Sequence, residues 1–239
     1  MTSSRKLNPM DNQTQQKKLV GEYAADHFIQ DNMVIGLGEG STAIFAIRRI
    51  AQLYSEKKLI GIKAIPCSKT VENESRRLGI PLISLEKDTK IDVTIDGADE
   101  VDPHLNIIKG GGGALTREKI VAQASAREII VIDSGKQSDK LGIQWPVPIE
   151  VVLFGWENQM GFLESLDGKP KVRQTGTGEK YITDQGNYII DCDFGVIEKP
   201  SELAQILNQR AGIVEHGLFI NLATDLIVPV NNEVKHIQK

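Results

Sequence analysis

Only two cysteines, Cys67 and Cys192, occur in the 239 residues, far apart and outside any CxxC or Cys/His ligand spacing. A disulfide framework and a zinc knot are thereby excluded, and both thiols read as small apolar residues of a reducing, cytoplasmic protein. Aromatics are scarce at 5%, and no run approaches the roughly 18 apolar residues of a membrane span. The first twelve residues carry no apolar stretch of the kind that directs export, so neither a membrane nor the cell exterior is addressed. For the same reason Asn12-Gln13-Thr14 is a chance match to a glycosylation sequon. Basic excess is missing: 28 Lys and Arg stand against 32 Asp and Glu, a net charge of -4, which argues against nucleic acid as a partner. The four histidines, His27, His104, His216 and His236, show no metal-ligand spacing and read as structural.

What is present is the composition of a globular α/β protein, with 40% hydrophobic and 25% charged residues and 22 glycines. After a frayed start, helical spacing of Leu19, Val20, Tyr23, Ala24 and Phe28 predicts a helix over 15–30. The apolar run 33–37 predicts a strand, followed by a glycine turn and a helix opening at Ser41 with Ile44, Ile47, Ile50 and Leu53 as its buried stripe. Strands are expected at 59–65, 81–85, 91–95 and 128–132, with helices at 69–78 and 114–126. That alternation implies a doubly wound parallel sheet. Beyond Trp145-Pro146 the texture changes: strands at 147–153, 171–173, 181–183 and 188–193 and helices at 156–166 and 201–209 suggest a smaller α+β unit. The strand-rich tail, 218–222, 225–230 and 234–237, is expected to rejoin the first sheet. The resulting division is 1–145 plus 216–239 for the larger domain and 146–215 for the smaller.

Three segments carry residues suited to chemistry. Gly36-Leu37-Gly38-Glu39-Gly40-Ser41-Thr42 lies between a strand and a helix, where backbone N–H groups and the helix dipole favour an anion such as phosphate. It lacks the third glycine of a dinucleotide fingerprint, and no ribose-binding acid ends the second strand, so nicotinamide binding is disfavoured. Asp96-Gly97-Ala98-Asp99-Glu100-Val101-Asp102 crowds four carboxylates at a strand end, a condition for general acid and base to coexist, with a magnesium site or a solvated turn as alternatives. Lys109-Gly110-Gly111-Gly112-Gly113 lets amides approach a ligand; Lys109 suits an oxyanion, and Glu118, one turn into the next helix, is placed to reach the same cavity. Lys136, after the strand at 128–132, is a further phosphate candidate.

Together with Pro66-Cys67-Ser68-Lys69-Thr70 and Ser134-Gly135-Lys136, these motifs resemble the A-type ribose-5-phosphate isomerases from about Lys17 to the C-terminus. The resemblance implies a Rossmann-like domain with a smaller inserted α+β domain, assembled as a homodimer or dimer of dimers. It implies interconversion of D-ribose 5-phosphate and D-ribulose 5-phosphate in the pentose phosphate pathway, with a sugar phosphate as partner and no metal or organic cofactor. By the same resemblance Glu118 is the base, Asp96 and Asp99 serve sugar contact and ring opening, and Lys109 steadies the enediolate. Glu39, Gly40, Ser41, Thr42, Gly97, Ala98, Gly110, Gly111, Gly112, Lys136 and Lys17 complete the substrate contacts. Glu39 stands where the family commonly carries Thr, and its carboxylate is expected to turn from the phosphate toward solvent or a lysine. A related sugar-phosphate deaminase or lactonase lacks its catalytic histidine here, and a sugar-phosphate-sensing regulator lacks a DNA-binding module.

Overall fold

The computed structural model describes residues 9–231 and 233–239. In chain order the elements are α1 (Pro9–Phe28), β1 (Val34–Leu37), α2 (Ala43–Ser55), β2 (Lys63–Pro66), α3 (Lys69–Arg77), β3 (Val93–Asp96), β4 (Glu100–Val101), β5 (Ile107–Ile108), α4 (Leu115–Gln123) and β6 (Glu128–Val131). There follow a 3-10 turn (Ser134–Lys136), β7 (Val147–Val151), α5 (Trp156–Glu164), β8 (Lys169–Val172), β9 (Tyr188–Asp193), α6 (Pro200–Asn208), β10 (Ile213–His216), β11 (Leu218–Phe219), β12 (Asp225–Val230) and β13 (Glu233–Gln238).

Six strands form the main sheet in the order β13-β12-β6-β3-β1-β2, parallel throughout except for β13 at the edge. Both faces are covered, and the strand sequences show it by alternation. Ile35, Leu37, Val93, Ile95, Ile129, Val131 and Ile227 pack with Val20 and Ala24 of α1 and Ile47 and Ile50 of α2. The intervening residues Ile130, Leu226 and Val228 pack on the opposite face with Ala122 of α4. Period-two alternation thus assigns Thr94 and Asp96 to the α4 side, and Thr94 Oγ1 sits 2.7 Å from Ser125 Oγ just past that helix. The chain leaves β1 to one side for β2 and returns to the other for β3, so the ends of β1 and β3 flank the switch point where ligands gather in such sheets.

A second, four-stranded antiparallel sheet, β10-β7-β9-β8, carries α5 and α6 over its own core of Val147, Ile149, Leu163, Ile190 and Leu207. The α/β architecture with a separate antiparallel unit matches the sequence-based expectation. Several boundaries do not. The first helix begins at Pro9, six residues early, because proline is tolerated in a helix's first turn; of the first dozen residues expected to fray, 9–12 are therefore helical and 1–8 lie outside the described residues. The second helix starts at Ala43, leaving Ser41 and Thr42 in the preceding turn. Of 59–65 only the last three residues are strand, in β2 (Lys63–Pro66), while 81–85 and 181–183 contribute isolated bridges at Leu82 and Ile182. The tail segment at 218 does not rejoin the main sheet: β11 pairs with β5 in a three-stranded sheet with β4, and only β12 and β13 return. No helix among the described residues is long and apolar enough to cross a membrane.

Candidate active site

The turn after β1 approaches the end of β3 so closely that a Cβ on Gly38 would stand 2.1 Å from Asp96 Oδ1, and Gly40 holds φ at +135°, a conformation that excludes side chains. The chain then enters α2 at Thr42 with no side-chain cap on the helix N-terminus. Uncapped N-terminal amides, with the Ser41 and Thr42 hydroxyls beside them, make an anion cradle. Lys17, from α1, donates to Ser41 Oγ at 2.9 Å and pairs with Asp133 at 3.7 Å. Lys136 completes this end, its Nζ 4.6 Å from the Trp145 ring centre.

At the other end Glu118 falls on the buried stripe of α4 with Val121 and Ala122, three and four residues on, which turns its carboxylate toward the face that Asp96 occupies. Lys109 lies between them: Nζ is 2.9 Å from Asp96 Oδ1 and 3.0 Å from Glu118 Oε1, and donates to the Gly97 carbonyl at 2.5 Å. Its three protons are therefore all engaged. All three side chains are at most 5% exposed. Burial pushes the Glu118 carboxyl up to about 8, with Lys109 pulling it down and Asp96 adding to the rise. Asp96 is raised by burial against the opposing pull of Lys109. Burial disfavours the Lys109 ammonium, but the two carboxylates override it and hold the group charged well above its ordinary value.

A cleft of roughly 100 Å³ joins the two ends. Glu39, Gly40, Ser41, Thr42, Gly97, Ala98, Asp99, Lys109, Gly110, Gly111, Gly112, Glu118 and Lys136 line it, so the separated sequence motifs converge. Asp96 lies behind Lys109 and is outside this lining; Lys17 reaches the cleft through Ser41. A larger, more open groove of about 550 Å³ beside α3 and α4 brings together Glu72, Arg76 and Arg117 but none of these groups.

The four carboxylates of the acidic motif do not share one spot. Asp99 faces the cleft, its Oδ2 accepting from Gly111 N at 2.7 Å, and Asp96 sits behind Lys109 as its ion-pair partner. Glu100 instead accepts four backbone N–H bonds, from Gly142, Ile143, Gln144 and Trp145, and Asp102 accepts from His104 and Asn106 to form the β4–β5 turn. A magnesium cluster of all four is therefore ruled out by their separate structural duties. Glu39 turns neither to solvent nor to a lysine: its carboxyl meets the Ser68 hydroxyl and Gly112, and partial burial, with Asp96 nearby, raises its pKa against the Ser68 bond.

Sequence reasoning missed the groups that hold the glycine loop from the second sheet. Arg173 Nη1 donates to the Gly110 and Gly111 carbonyls at 2.8 and 3.1 Å, and Tyr181 OH to Gly112 O at 3.2 Å. Asp184 Oδ2 accepts from Lys69 N at 2.7 Å, tying that unit to α3. Arg173 and Tyr181 are more than sixty positions from the loop they hold, and their neighbours in sequence carry no motif. Behind α4, Lys119 donates to Glu215 Oε1 and to the His216 carbonyl at 2.5 and 2.6 Å, while burial and then Lys119 push His216 down to about 3. His216 is thus a neutral structural group, as its isolation in the sequence suggested.

The sequence profile of ribose 5-phosphate isomerase A (phosphoriboisomerase A) matches residues 63–233. The chain is 50% identical over 219 residues to the ribose-5-phosphate isomerase A of Desulfatibacillum aliphaticivorans, covering 92% of this chain and 95% of that one. It is 48% identical over 224 residues to that of Chloroflexus aurantiacus, covering 94% of each. Among solved structures, ribose 5-phosphate isomerase from Plasmodium falciparum superposes with a TM-score of 0.90 at 41% identity, covering 93% of this chain and 97% of that one. A D-ribose-5-phosphate isomerase in complex with phospho-erythronic acid gives 0.91 at 35%, with coverage of 98% and 100%. Shared along nearly their whole length, sequence and fold make this chain a member of the ribose-5-phosphate isomerase A family.

Proposed function

We infer that Glu118 carries the proton between C2 and C1 as the chain interconverts D-ribose 5-phosphate and D-ribulose 5-phosphate, the reaction of its family. One observation carries the assignment: a carboxyl held near neutrality, 3.0 Å from a buried ammonium, in a cleft whose other end is an uncapped helix N-terminus. The phosphate binds that N-terminus, with Ser41, Thr42, Lys17 and Lys136 around it. This sets the open-chain sugar along the cleft with C1 and C2 toward Glu118. Ionised Glu118 takes the C2 proton, and the electron pair moves onto the carbonyl oxygen as the enediolate. Protonated Glu118 holds Lys109 less strongly, which frees an N–H of that ammonium for the new oxyanion. Asp99, at the cleft wall, relays the hydroxyl proton from O2 to O1 and assists ring opening, while Asp96 fixes Lys109 as its counter-ion. Glu118 then delivers its proton to C1. The base, the proton relay and the cation beside the new oxyanion are all side chains of this chain, so no step of the cycle is routed through a metal or organic cofactor.

Glu118→Gln tests the reading in a coupled assay for ribulose 5-phosphate. The expected result is a fall in kcat of at least ~10²-fold with KM little changed, because the amide keeps the shape but cannot accept the proton. Near-normal turnover would remove Glu118 from the role.

Residues 146–215 we assign to a smaller domain, supported by the four-stranded antiparallel sheet that they supply up to the last residue of β10; its core also takes in Ile108, Leu141 and Leu218. A homodimer or dimer of dimers is supported by the exposed apolar run Val152, Leu153 and Phe154, the last 93% exposed, beside Val214. The two buried free thiols suit a reducing, cytoplasmic setting.

A further inference from the structure

Behind the proposed catalytic pair lies a thiol that the isomerisation does not use. Cys67, in the turn between β2 and α3, is fully buried, and its Sγ, one oxygen of Asp96 and one of Glu118 all lie within 4.8 Å of one another. Lys109 engages only one oxygen of each carboxylate. The second oxygens, Asp96 Oδ2 and Glu118 Oε2, are buried and have no hydrogen-bond partner. Such orphaned acceptors cost free energy and call for a ligand. Three deprotonated donors less the Lys109 ammonium leave two unbalanced negative charges, which a divalent cation cancels. One thiolate with two carboxylates suits a borderline-soft ion without a geometric preference, Zn²⁺ or the softer Cd²⁺; Mg²⁺ and Ca²⁺ take oxygen alone.

We propose that Cys67, Asp96 and Glu118 form an inhibitory site for a thiophilic divalent cation of the Zn²⁺ class. The ion enters through the cleft, which Glu118 lines, and displaces to solvent the Cys67 proton and, below the point where Glu118 ionises, the Glu118 proton as well. Bound there, it takes the carboxylate lone pair that would otherwise accept the C2 proton. Inhibition therefore rests on the assignment of Glu118 as base, whereas binding does not.

Cd²⁺ titration of the whole protein reads binding directly, through the thiolate-to-metal charge-transfer absorption, and initial isomerisation rates in Cd²⁺ or Zn²⁺ read inhibition. The expected result is one equivalent of the absorption in the wild type and in Cys192→Ser, and none in Cys67→Ser. Saturating metal should lower wild-type kcat by at least ~10²-fold, as loss of a base does, with recovery on adding EDTA. Cys67→Ser should keep its metal-free turnover and lose the sensitivity; Cys67→Ala, equally small and without a donor, controls for a folding defect in the serine variant. Absence of the absorption in the wild type, or equal inhibition of wild type and both Cys67 variants, would overturn the proposal. Cys67-dependent absorption with unchanged turnover would leave the metal site standing and overturn the assignment of Glu118.

Discussion

A single methyl group decides whether Asp96 can stand where it does. The backbone of Gly38 passes so near that a Cβ would meet Asp96 Cγ and Oδ1 at 2.1 Å, and Gly38 has no positive φ to complicate the substitution. Gly38→Ala should therefore act by sterics alone, pushing Asp96 off Lys109. A displacement of about 1 Å in such a constellation costs roughly 10²-fold. The expected outcome is that loss in kcat with an unchanged far-ultraviolet circular dichroism spectrum; retained turnover would show that Asp96 has no part in holding Lys109. Protonation gives a second handle on the same site. Because burial raises Glu118 to about 8, its carboxyl is protonated below that value and the base form is lost as pH falls. The free-enzyme kcat/KM should therefore decline about tenfold per pH unit on the acid side of this value. A profile without an acid limb above neutrality would contradict the assignment. These roles were legible in the sequence only as residue types at strand ends. Nothing in Asp-Gly-Ala-Asp-Glu-Val-Asp distinguishes Asp96, which faces Lys109, from Glu100, whose carboxylate is spent on four amides of a distant loop.

Among the elements, the return of β12 to the parallel sheet depends on one carboxylate. Asp225, fully buried at the start of that strand, accepts from Arg127 Nη2 at 2.7 Å, His236 Nε2 at 2.6 Å and Thr224 Oγ1 at 2.6 Å, and so joins the approach to β6, β12 and β13. Burial opposes its charge, but Arg127, Thr224 and His236 override it and hold the carboxyl below its ordinary value. Its stabilisation is thus complete above the ordinary carboxylate range and is lost as pH falls through the depressed value. Asp225→Asn should cost roughly 2 kcal/mol at neutral pH, a figure already reduced for the partial exposure of Arg127. In urea denaturation the deficit should shrink in acid; a deficit independent of pH would mean that shape and not charge is at work. The strands around this point show what pattern reading can and cannot reach. Apolar runs at 128–132 and 225–230 announce themselves, whereas β4 and β5 are two residues each, and their pairing is set by the Asp102 turn.

At the scale of the whole molecule, the second sheet does two things for the first. It holds the glycine loop through Arg173 and Tyr181, and it presents Val152, Leu153 and Phe154 to the outside. Phe154, 93% exposed, buries nothing within its own chain, so its replacement by Asp should leave the fold intact. If this patch is the assembly surface, light scattering should show a homo-oligomer for the wild type and a smaller species for Phe154→Asp, with the same melting curve at low concentration. An unchanged mass for the variant would place the contact elsewhere.

The sequence by itself determined the parallel sheet and the kind of chemistry. Alternating apolar runs separated by glycine turns leave few other ways to bury both faces of the strands, and polar groups and glycines at the carboxyl ends of strands point to a site at the switch point of such a sheet. Tertiary structure alone decided which of the carboxylates meet Lys109 or line the cleft and which are spent on backbone amides elsewhere. It also decided that Lys109 spends all three protons inside the site, that Glu39 folds inward onto Ser68, and that Arg173 and Tyr181 secure the loop. The physical reason is common to these cases: local pattern records which face of an element is apolar, but burial and the partner across a gap set a charge's state. Those partners come from segments that only packing brings together.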